Sequence, residues 1–242
     1  MSRRGHDLDV VFWNAGHKTP DAKVEARIRG WMSTHQVGIF AEMGGRSALR
    51  NRLARDYGLL EGGTGKSRVL IVWHQGRIRR GKFGFLRVQD REHLGEAGAG
   101  PAWSPRRFMP FVRLYDTETR RWFWVFGKHV IASNYLAKRR PHAKLDMRLT
   151  GLWARAHRGA MLGGADWNFE PGSSLINPVL RLGGLRAVPR VLSRMLATHG
   201  NRAIDWFVFR PKKWFRVVSQ RVLPGNQDDH DAMSVRFLVV PR

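Results

Sequence analysis

Short apolar runs, each followed by a polar or glycine-containing break, recur along the sequence. Their length and their β-branched and aromatic content predict strands over residues 8–13, 37–41, 68–73, 111–115, 122–126, 160–163, 204–209 and 234–239. Apolar residues at helical spacing predict amphipathic helices, the first at Val24, Ile28, Trp31 and Met32, the second around Leu49 and Leu53, and the third at Leu145, Leu149, Leu152 and Ala156. Strands with interspersed helices, but without strict alternation, favour a layered mixed α/β domain.

No repeat, linker or compositional break divides the 242 residues, so we predict a single domain over residues 1–242. Between Gln89 and Arg107, Gly, Pro, Glu and Ala interrupt the apolar pattern, which predicts a mobile loop within that domain. The segment GGTGKS at 62–67 is similar to a phosphate-binding loop. The first glycine of that motif is replaced by Leu60, however, and a predicted strand rather than a helix follows, so we interpret the segment as a turn.

The balance of charge indicates a polyanionic partner. The chain has 43 Lys and Arg against 19 Asp and Glu, a formal charge of +24, and such a field attracts nucleic acid. An anionic membrane surface is the alternative, less favoured because no basic amphipathic terminal helix stands out. No apolar run approaches the roughly 20 residues of a membrane span, and the N-terminus has no signal-peptide pattern. The absence of cysteine excludes disulfides and thiolate metal sites, and we expect an intracellular, cytoplasmic protein.

The few acids of the C-terminal part lie near the ends of predicted strands. Residues 147–242 contain six of them, namely Asp166, Glu170, Asp205, Asp228, Asp229 and Asp231. Asp205 is the only acid between Arg181 and Arg221, a stretch with ten Lys and Arg, and apolar residues flank it. A buried carboxylate needs a partner. Pairing with one of the arginines is the simplest interpretation of Asp205 alone.

Other polar residues share this placement. In GGADWNFEP, residues 163–171, Asp166 and Asn168 are two positions apart after a strand, so the period of two predicts that both side chains point to the same side. Asn14, Glu42 and His129 follow other strands, and Asp229-His230 precedes the last strand. Each is weak evidence alone, because a strand-end Asn is usually a turn residue and a lone His is usually structural.

The order of these motifs resembles that of the endonuclease/exonuclease/phosphatase family, the metal-dependent phosphoesterases. The family's W-N pair, its glutamate after an apolar strand and its I-D-Y segment match Trp13-Asn14, Glu42 and Ile204-Asp205-Trp206. Its T-H, G-D-F-N and S-D-H motifs match Lys128-His129, Ala165-Asp166-Trp167-Asn168 (followed by Pro171) and Asp228-Asp229-His230. The resemblance covers residues 8–239. The departures are Lys128 for Thr, Ala165 for Gly, Asp228 for Ser and Ala232 for Pro.

The resemblance implies a four-layer α-β-β-α sandwich, in which helices flank two packed mixed β-sheets and the active site lies at strand ends on one edge. It implies phosphodiester hydrolysis by in-line attack of an activated water, with Mg²⁺ or Mn²⁺ as cofactor. Glu42 would be the principal metal ligand, Asn14 would lie beside it, and Asp229 would support the metal site. Such hard cations prefer oxygen ligands.

The resemblance also assigns roles to the remaining site residues. Asp166 would orient the attacking water, or both orient and deprotonate it, and Asn168 would donate to the phosphate. Asp205 would hold His230 in one tautomer and favour its imidazolium, which would stabilise the charge of the transition state. His129 would contact the same phosphate.

The substrate is less sharply determined than the reaction. The charge and the aromatic residues within FRPKKWFR, residues 209–216, favour a polynucleotide substrate. We expect a monomeric nuclease that acts on DNA rather than RNA and cleaves it endonucleolytically. In an alternative interpretation of that segment, its aromatic side chains pack in the core. A phosphatase or phosphodiesterase acting on lipid head groups or small phosphates is an alternative function, as is a catalytically idle nucleic-acid-binding protein. The intact set of site residues speaks against the idle protein.

Overall fold

Two six-stranded β-sheets, packed face to face, form the centre of the structure. The computed structural model describes residues 5–89, 92–93, 103–104, 106–130, 140–188, 198–200, 202–223 and 230–242. Most of the predicted loop between Gln89 and Arg107, and the predicted metal ligand Asp229, lie outside the described residues.

The first sheet brings together strands from both ends of the chain. It contains β1 (His6–Asn14), β2 (Val37–Ala41), β3 (Tyr57–Gly62), β4 (Val69–His74), β13 (Phe215–Leu223) and β14 (Ala232–Val239). The strand order is β13-β14-β1-β2-β4-β3. β1 and β2 are parallel, and the other neighbouring pairs are antiparallel. A short 3-10 helix in the β3–β4 connection (Gly65–Ser67) confirms the predicted turn.

The second sheet is formed by the middle of the chain. It contains β5 (Ile78–Gln89), β8 (Arg107–Asp116), β9 (Arg121–His129), β10 (Ala160–Asp166), β11 (Arg186–Val188) and β12 (Asp205–Arg210). The order is β11-β12-β10-β9-β8-β5, with β9 and β10 parallel and the other pairs antiparallel. Two further short strands, β6 (Glu92–His93) and β7 (Trp103–Ser104), pair with each other.

In the part of the chain that the structure describes, four α-helices cover the outer faces of the two sheets. They are α1 (Asp21–Met32), α2 (Ser47–Leu53), α3 (Arg140–Ala156) and α4 (Asn177–Gly183). Buried apolar residues form three clusters. One lies between the sheets, one joins α1 and α2 to the first sheet, and one joins α3 and α4 to the second. Burial of each large apolar side chain stabilises the fold by about 1.5–3 kcal/mol. The predicted four-layer α-β-β-α sandwich is confirmed.

Glycines in β10 allow its close packing in the sandwich. A Cβ on Gly164 would come within 3.0–3.1 Å of Phe12 and Ile39 of the first sheet and Phe207 of β12. A Cβ on Gly163 would lie 2.0 Å from the ring of Phe126. Larger residues would therefore push β10 away from its neighbours. The GG pair fixes the position of the strand that ends at Asp166.

The predicted buried face of α3 is wrong. Leu145 and Leu152 are 51% and 42% exposed, and Ala156 is exposed as well. The residues that pack against the second sheet include Ala143, Met147 and Trp153. The buried face also carries Asp146 and Thr150, whose polar side chains hid it from an apolar pattern search. No helix among the described residues has the length and apolar character needed to cross a membrane.

The FRPKKWFR segment connects β12 to β13, and its phenylalanines are core residues. Phe209 and Phe215 are 1% and 0% exposed and belong to the cluster between the sheets. Trp214 packs against the same cluster, with the Arg121 guanidinium 4.8 Å from its ring centroid. The aromatic side chains of this segment are therefore packed against the core rather than presented for base stacking. The structure favours the core-packing interpretation of the segment.

Candidate active site

The two sheets meet at one edge, where Asn14 at the end of β1 contacts Asp166 at the end of β10. Asn14 Nδ2 donates a hydrogen bond to Asp166 Oδ2 at 2.9 Å and a longer one to Glu42 Oε1 at 3.4 Å. Asn14 Oδ1 accepts from the Gly16 N–H at 3.1 Å. Asn14 and Asp166 are almost fully buried. The amide therefore joins two carboxylates that come from different sheets.

Glu42 lies directly after β2 in a left-handed backbone conformation. Its φ is 56°, and an L-residue with a Cβ is disfavoured there by roughly 1–2 kcal/mol. Glu42 Oε2 accepts a hydrogen bond from the His17 N–H at 2.9 Å, with His17 Nδ1 3.2 Å away. The side chain is 19% exposed. These contacts hold the carboxylate at the sheet edge, with one face open to solvent.

Asp166 and Asn168 are brought together by a turn and not by strand alternation. β10 ends at Asp166, and Asn168 has a φ of 56°. Its N–H donates to Asp166 Oδ1 at 2.9 Å, and its Nδ2 donates to the Val130 carbonyl at 2.8 Å. The prediction that both side chains point the same way because they alternate along a strand is thus wrong in its physical basis. Asn tolerates the left-handed conformation better than most residues, which suits this turn.

Asp205 is paired with His230, not with an arginine. His230 Nδ1 lies 2.6 Å from Asp205 Oδ2, and the Asp205 carboxylate is fully buried. Burial lowers the pKa of His230, but the hydrogen bond and the charge of Asp205 outweigh this and raise it to about 9. His230 is therefore an imidazolium at neutral pH, with its Nδ1 held by the carboxylate. The His199 ring packs against the His230 ring at a centroid distance of 4.6 Å.

His129 lies between the two carboxylates that Asn14 connects. Its Nε2 is 3.6 Å from both Glu42 Oε1 and Asp166 Oδ2. Burial and, secondarily, the nearby Arg107 guanidinium lower the pKa of His129 to about 3. His129 is therefore neutral where His230 is charged. Two histidines at one edge thus differ in charge because only one of them has a buried carboxylate as a hydrogen-bond partner.

The carboxyl group of Asp166 titrates near neutrality. Burial, followed by the charge of Asp205, raises its pKa to about 7. The two aspartates are directly opposite each other in the β10–β12 register. Carboxylates placed this close disfavour simultaneous ionisation. Asp166 can therefore exchange a proton at neutral pH.

This arrangement lies on a known fold. The chain has a TM-score of 0.72 and 12% identity to an endonuclease/exonuclease/phosphatase family protein from Bacteroides thetaiotaomicron, covering 98% of this chain and 99% of that one. D. rerio TDP2 complexed with single-strand DNA product has a TM-score of 0.73 and 13% identity, covering 96% and 98%. The B. thetaiotaomicron mannosyl-6-phosphatase Bt3783 has a TM-score of 0.67 and 14% identity, covering 95% and 99%. The chain has the endonuclease/exonuclease/phosphatase fold. No protein-family model matches the sequence, and neither does any curated protein.

The edge of this endonuclease/exonuclease/phosphatase fold offers donors suited to a divalent cation. The oxygens of Glu42 and Asp166 converge around Asn14 Nδ2 and His129 Nε2. Carboxylate oxygens are the ligands that hard cations prefer. One ligand atom each from Asp166, Asp205 and His230 also lies within 4.8 Å of the others. That second group is the weaker candidate, because Asp205 and His230 already bond to each other.

Lys128, which takes the place of the family's Thr beside His129, points away from the site edge. Its ammonium is buried, donates to Asp146, and donates to Thr150 Oγ1 at 2.7 Å. The ammonium also lies 5.9 Å from the ring centroid of Trp167, between Asp166 and Asn168 in the chain. A buried ion pair thus connects α3 to the strand that carries His129. Lys128 in place of Thr therefore changes the buried contacts between β9 and α3, and not the exposed surface of the site.

The structure brings all the described predicted site residues to this edge: Asn14, Glu42, His129, Asp166, Asn168, Asp205 and His230. It adds residues that the sequence did not single out. His17 binds Glu42, His199 packs on His230, and Arg107 Nη1 and Arg202 Nη2 donate to the carbonyls of His129 and Asn168 at 2.7 and 3.3 Å. His17, three residues after Asn14, and Arg202, three residues before Asp205, stood close enough to a motif to be found from sequence.

Proposed function

We propose that the protein is a divalent-metal-dependent phosphodiesterase that hydrolyses nucleic acid. The observation that carries the proposal is the convergence, at one buried edge, of two carboxylates joined by Asn14 with a His230 imidazolium held by Asp205. Phosphoryl transfer requires neutralisation of the phosphate oxygens, an activated nucleophile and stabilisation of the charge that develops. The edge has a separate group for each requirement.

Glu42 would be the principal ligand of Mg²⁺ or Mn²⁺, with Asn14 beside it and Asp229 in support. When bound, the cation would polarise the phosphate and orient it for attack. Binding through the Asn14 amide oxygen would require its side chain to turn, because Nδ2 is the atom that now contacts Glu42 and Asp166. Amide orientation follows from the surrounding hydrogen bonds, and a cation would change those bonds.

Asp166 would take the proton of the attacking water. A general base works best when its pKa lies near the operating pH, and that of Asp166 is about 7. Its two oxygens accept from Asn14 Nδ2 and from the Asn168 N–H, so the carboxylate is held in one orientation. Asn168 Nδ2 donates to the Val130 carbonyl, which holds the amide at this edge, and we assign Asn168 as a donor to the substrate phosphate.

His230 would donate to a non-bridging phosphate oxygen and stabilise the negative charge of the transition state. Its charge at neutral pH comes from Asp205, and its position from Asp205 and from its own backbone carbonyl, which accepts from Trp13 Nε1 at 3.2 Å. His129, neutral and 3.6 Å from two carboxylates, would bind the same phosphate as a hydrogen-bond donor. Removal of one such donor in other enzymes lowers turnover by about 10²–10³-fold.

Nucleic acid is the substrate we favour, and DNA before RNA. The formal charge of +24 supports a polyanionic substrate, and D. rerio TDP2 in complex with single-strand DNA product shares the fold. A phosphatase acting on small phosphates is the second candidate, because the mannosyl-6-phosphatase Bt3783 also shares the fold. A small-phosphate enzyme gains little from a surface charge this large, which is why we place it second.

The test is hydrolysis by the purified protein with Mg²⁺ or Mn²⁺, and with EDTA as the control. Substrates would be plasmid DNA, single-stranded DNA, RNA, a duplex with an abasic site, and mannose 6-phosphate. We expect metal-dependent cleavage of polynucleotide and little release of phosphate from the sugar. Efficient hydrolysis of mannose 6-phosphate without nuclease activity would establish the second candidate instead.

Glu42→Gln identifies the site as the origin of any activity. The substitution keeps the size of the side chain and one acceptor oxygen but removes the ligand charge, so metal-dependent cleavage should be lost. Folding and oligonucleotide binding in EDTA should be retained. Arg148→Ala, on the exposed face of α3, is a suitable control. Gly45→Ala, although closer to Glu42 in the chain, is not, because the backbone φ of Gly45 is positive and disfavours alanine. Substantial cleavage by Glu42→Gln at saturating Mg²⁺ would refute the metal assignment.

A further inference from the structure

The edge strand β5 presents two aromatic rings to solvent. Phe83 and Phe85 are 49% and 48% exposed, and their rings form an edge-to-face pair with centroids 6.5 Å apart. The opposite face of the strand is packed, since a Cβ on Gly81 or Gly84 would strike Trp122 or Phe111. Exposed phenylalanines of this size are uncommon without a partner, and a contiguous apolar patch indicates a binding surface.

Cations surround the two rings. The Arg80 guanidinium lies 4.8 Å from the ring centroid of Phe83. β5 also carries Arg79, Lys82 and Arg87, all exposed, and its sequence IRRGKFGFLRVQ contains no acid. The described residues form no ion pair between a carboxylate and Arg79, Arg80 or Lys82. The patch is therefore both aromatic and cationic.

β5 lies beside β3, the edge strand of the other sheet, and we refer to the surface between these two strands as the β3–β5 groove. A Cβ placed on Gly62, the last residue of β3, would lie 2.8 Å from Phe85, so the ring lies over that glycine. At the other end of the same two strands is a cavity of about 500 Å³, lined by Tyr57 and Trp73 and by Arg79 and Arg80. Aromatic rings thus lie at both ends of this groove, and Arg79 and Arg80 line the cavity at one of them.

The end of β5 is connected to the candidate active site through Arg107. β5 ends at Gln89, which pairs with Arg107 in β8. Arg107 donates through Nη1 to the His129 carbonyl at 2.7 Å. On the β3 side, Glu61 is the acid nearest this end, and it is paired with Arg50 and Arg68. A polyanion that leaves the site in this direction therefore meets no unpaired carboxylate on either of these strands.

From these contacts we propose that the β3–β5 groove binds single-stranded nucleic acid, with Phe83 and Phe85 stacking on bases and Arg79, Arg80 and Lys82 contacting phosphates. The inference rests on the proposed function only in naming the substrate of the neighbouring site. Aromatic stacking requires bases that are not paired, which selects a single strand over a duplex. An anionic membrane would satisfy the cations, but the Phe85 ring packs against Gly62 of β3 rather than projecting from a convex surface.

The test measures binding in EDTA, so that it does not depend on catalysis. The probe is a fluorescein-labelled oligothymidylate, followed by fluorescence anisotropy. Phe83→Ala with Phe85→Ala should weaken binding at least about tenfold, because each stacked base contributes about 1–3 kcal/mol. Arg79→Ala with Arg80→Ala should weaken it and reduce the dependence of affinity on salt.

Matched controls come from the exposed face of α3. Leu145→Ala with Leu152→Ala removes equal exposed apolar surface, and Arg148→Ala with Arg155→Ala removes equal charge. Both controls should bind the oligonucleotide within about twofold of the parent protein. Circular dichroism and thermal melting exclude unfolding as the cause of any loss.

Different outcomes test the β3–β5 groove and the proposed catalytic function. Hydrolysis of bis(p-nitrophenyl) phosphate, which is too small to reach the groove, should be equal in Phe83→Ala/Phe85→Ala and the parent protein. In a contrasting result, the parent protein fails to hydrolyse this substrate while Phe83→Ala/Phe85→Ala still binds oligothymidylate more weakly than the parent protein. That result would refute the proposed function and support the groove as a binding site. The groove is refuted if the variant binds as tightly as the α3 controls. It is equally refuted if Phe83→Ala/Phe85→Ala lowers the affinity of the protein for duplex DNA or phosphatidylserine vesicles as much as its affinity for the single strand.

Discussion

Asp205→Asn should uncouple the charge of His230 from its position. The substitution preserves the size of the side chain and an oxygen that can accept from His230 Nδ1 at the present 2.6 Å. It removes the negative charge that, with the hydrogen bond, raises the pKa of His230 to about 9 against the burial that lowers it. With burial left as the dominant influence, the pKa of His230 should fall below 6.5. The imidazole would then be neutral at pH 7.

The contribution of the charged His230 to folding stability follows from the shift in its pKa. A pKa of about 9 in the folded protein, against 6.5 for the unfolded chain, corresponds to about 3 kcal/mol in favour of the folded protein with a charged His230. His230 is only 13% exposed, so solvent screening reduces this little. Because the folded pKa is the higher one, this contribution is complete below about pH 6.5 and is lost as the pH rises through about 9.

Three measurements test this reasoning. NMR titration of the histidine ring protons gives the pKa of His230, and urea unfolding between pH 6 and 10 gives the stability profile. Metal-saturated turnover is compared in Asp205→Asn, His230→Ala and the double variant. We expect each single substitution to lower turnover by about 10²-fold or more and the double to lose little further, because residues that act together are strongly non-additive.

If His230 still titrates near pH 9 in Asp205→Asn, Asp205 does not set the charge of His230. If the logarithms of the two losses in turnover simply add, the two residues act independently. Either result would refute the Asp205–His230 dyad. The stability profile then offers an internal check, since the fall between pH 6.5 and 9 should persist in Asp205→Asn if its charge does not act on His230.

Three further predictions concern the support and the chemistry of the site. Lys128→Met should lower the free energy of unfolding, measured in urea, by about 3–5 kcal/mol because it leaves Asp146 buried without its partner; Lys128→Met with Asp146→Leu should be more stable than that single variant, and strictly additive losses would contradict this. Calorimetric affinity for Mn²⁺ should rise as the pH rises through about 7, where Asp166 ionises; an unchanged pH dependence in Asp166→Asn would count against Asp166 as the titrating group. Asn168→Gly should melt higher than Asn168→Ala because the φ of 56° suits glycine; equal melting temperatures would argue against strain in this turn.

The interior strands could be predicted from the sequence, and the edge strands could not. β3, β5, β11 and β13 were missed, and they are the four outer strands of the two sheets. An outer strand has one hydrogen-bonded neighbour and tolerates charged residues on its exposed positions. In β5 and β13 these charges interrupt the apolar pattern, with Arg79, Arg80 and Lys82 in the first and Arg216 and Arg221 in the second. Apolar periodicity identifies strands that are covered on both faces.

The helix α3 shows the opposite difficulty. Its apolar residues Leu145 and Leu152 have helical spacing but lie in solvent. The face turned to the sheet carries Asp146, because the buried Lys128 needs a carboxylate opposite it. Lys128 and Asp146 are 18 residues apart in the sequence, so the apolar pattern of α3 alone cannot reveal that they form an ion pair. The orientation of the helix was therefore decided by a tertiary contact that its own pattern does not contain.

The arrangement of the candidate site was more accessible to sequence reasoning, because parallel strands align their ends. Asn14 and Glu42 follow the parallel pair β1 and β2, and His129 and Asp166 end the parallel pair β9 and β10. A polar residue at each of these ends must reach the same edge once the sheets pack. The contacts through backbone atoms, such as that of Arg107 with the His129 carbonyl, depend on loop geometry and leave no motif.

Two buried acid–base pairs support this edge, and their surroundings predict different consequences of breaking them. We describe the pair of Lys128 and Asp146 as closed, because the Lys128 ammonium donates to Asp146 and Thr150 and both side chains of the pair are buried. The pair of Asp205 and His230 is open, because the other ring nitrogen of His230 is free of Asp205 and the ring is 13% exposed. Disruption of a closed pair changes the folded fraction but should leave the turnover of folded molecules nearly unchanged. Disruption of the open pair should change turnover, so stability and turnover measured on the same two sets of variants distinguish structural support from catalysis.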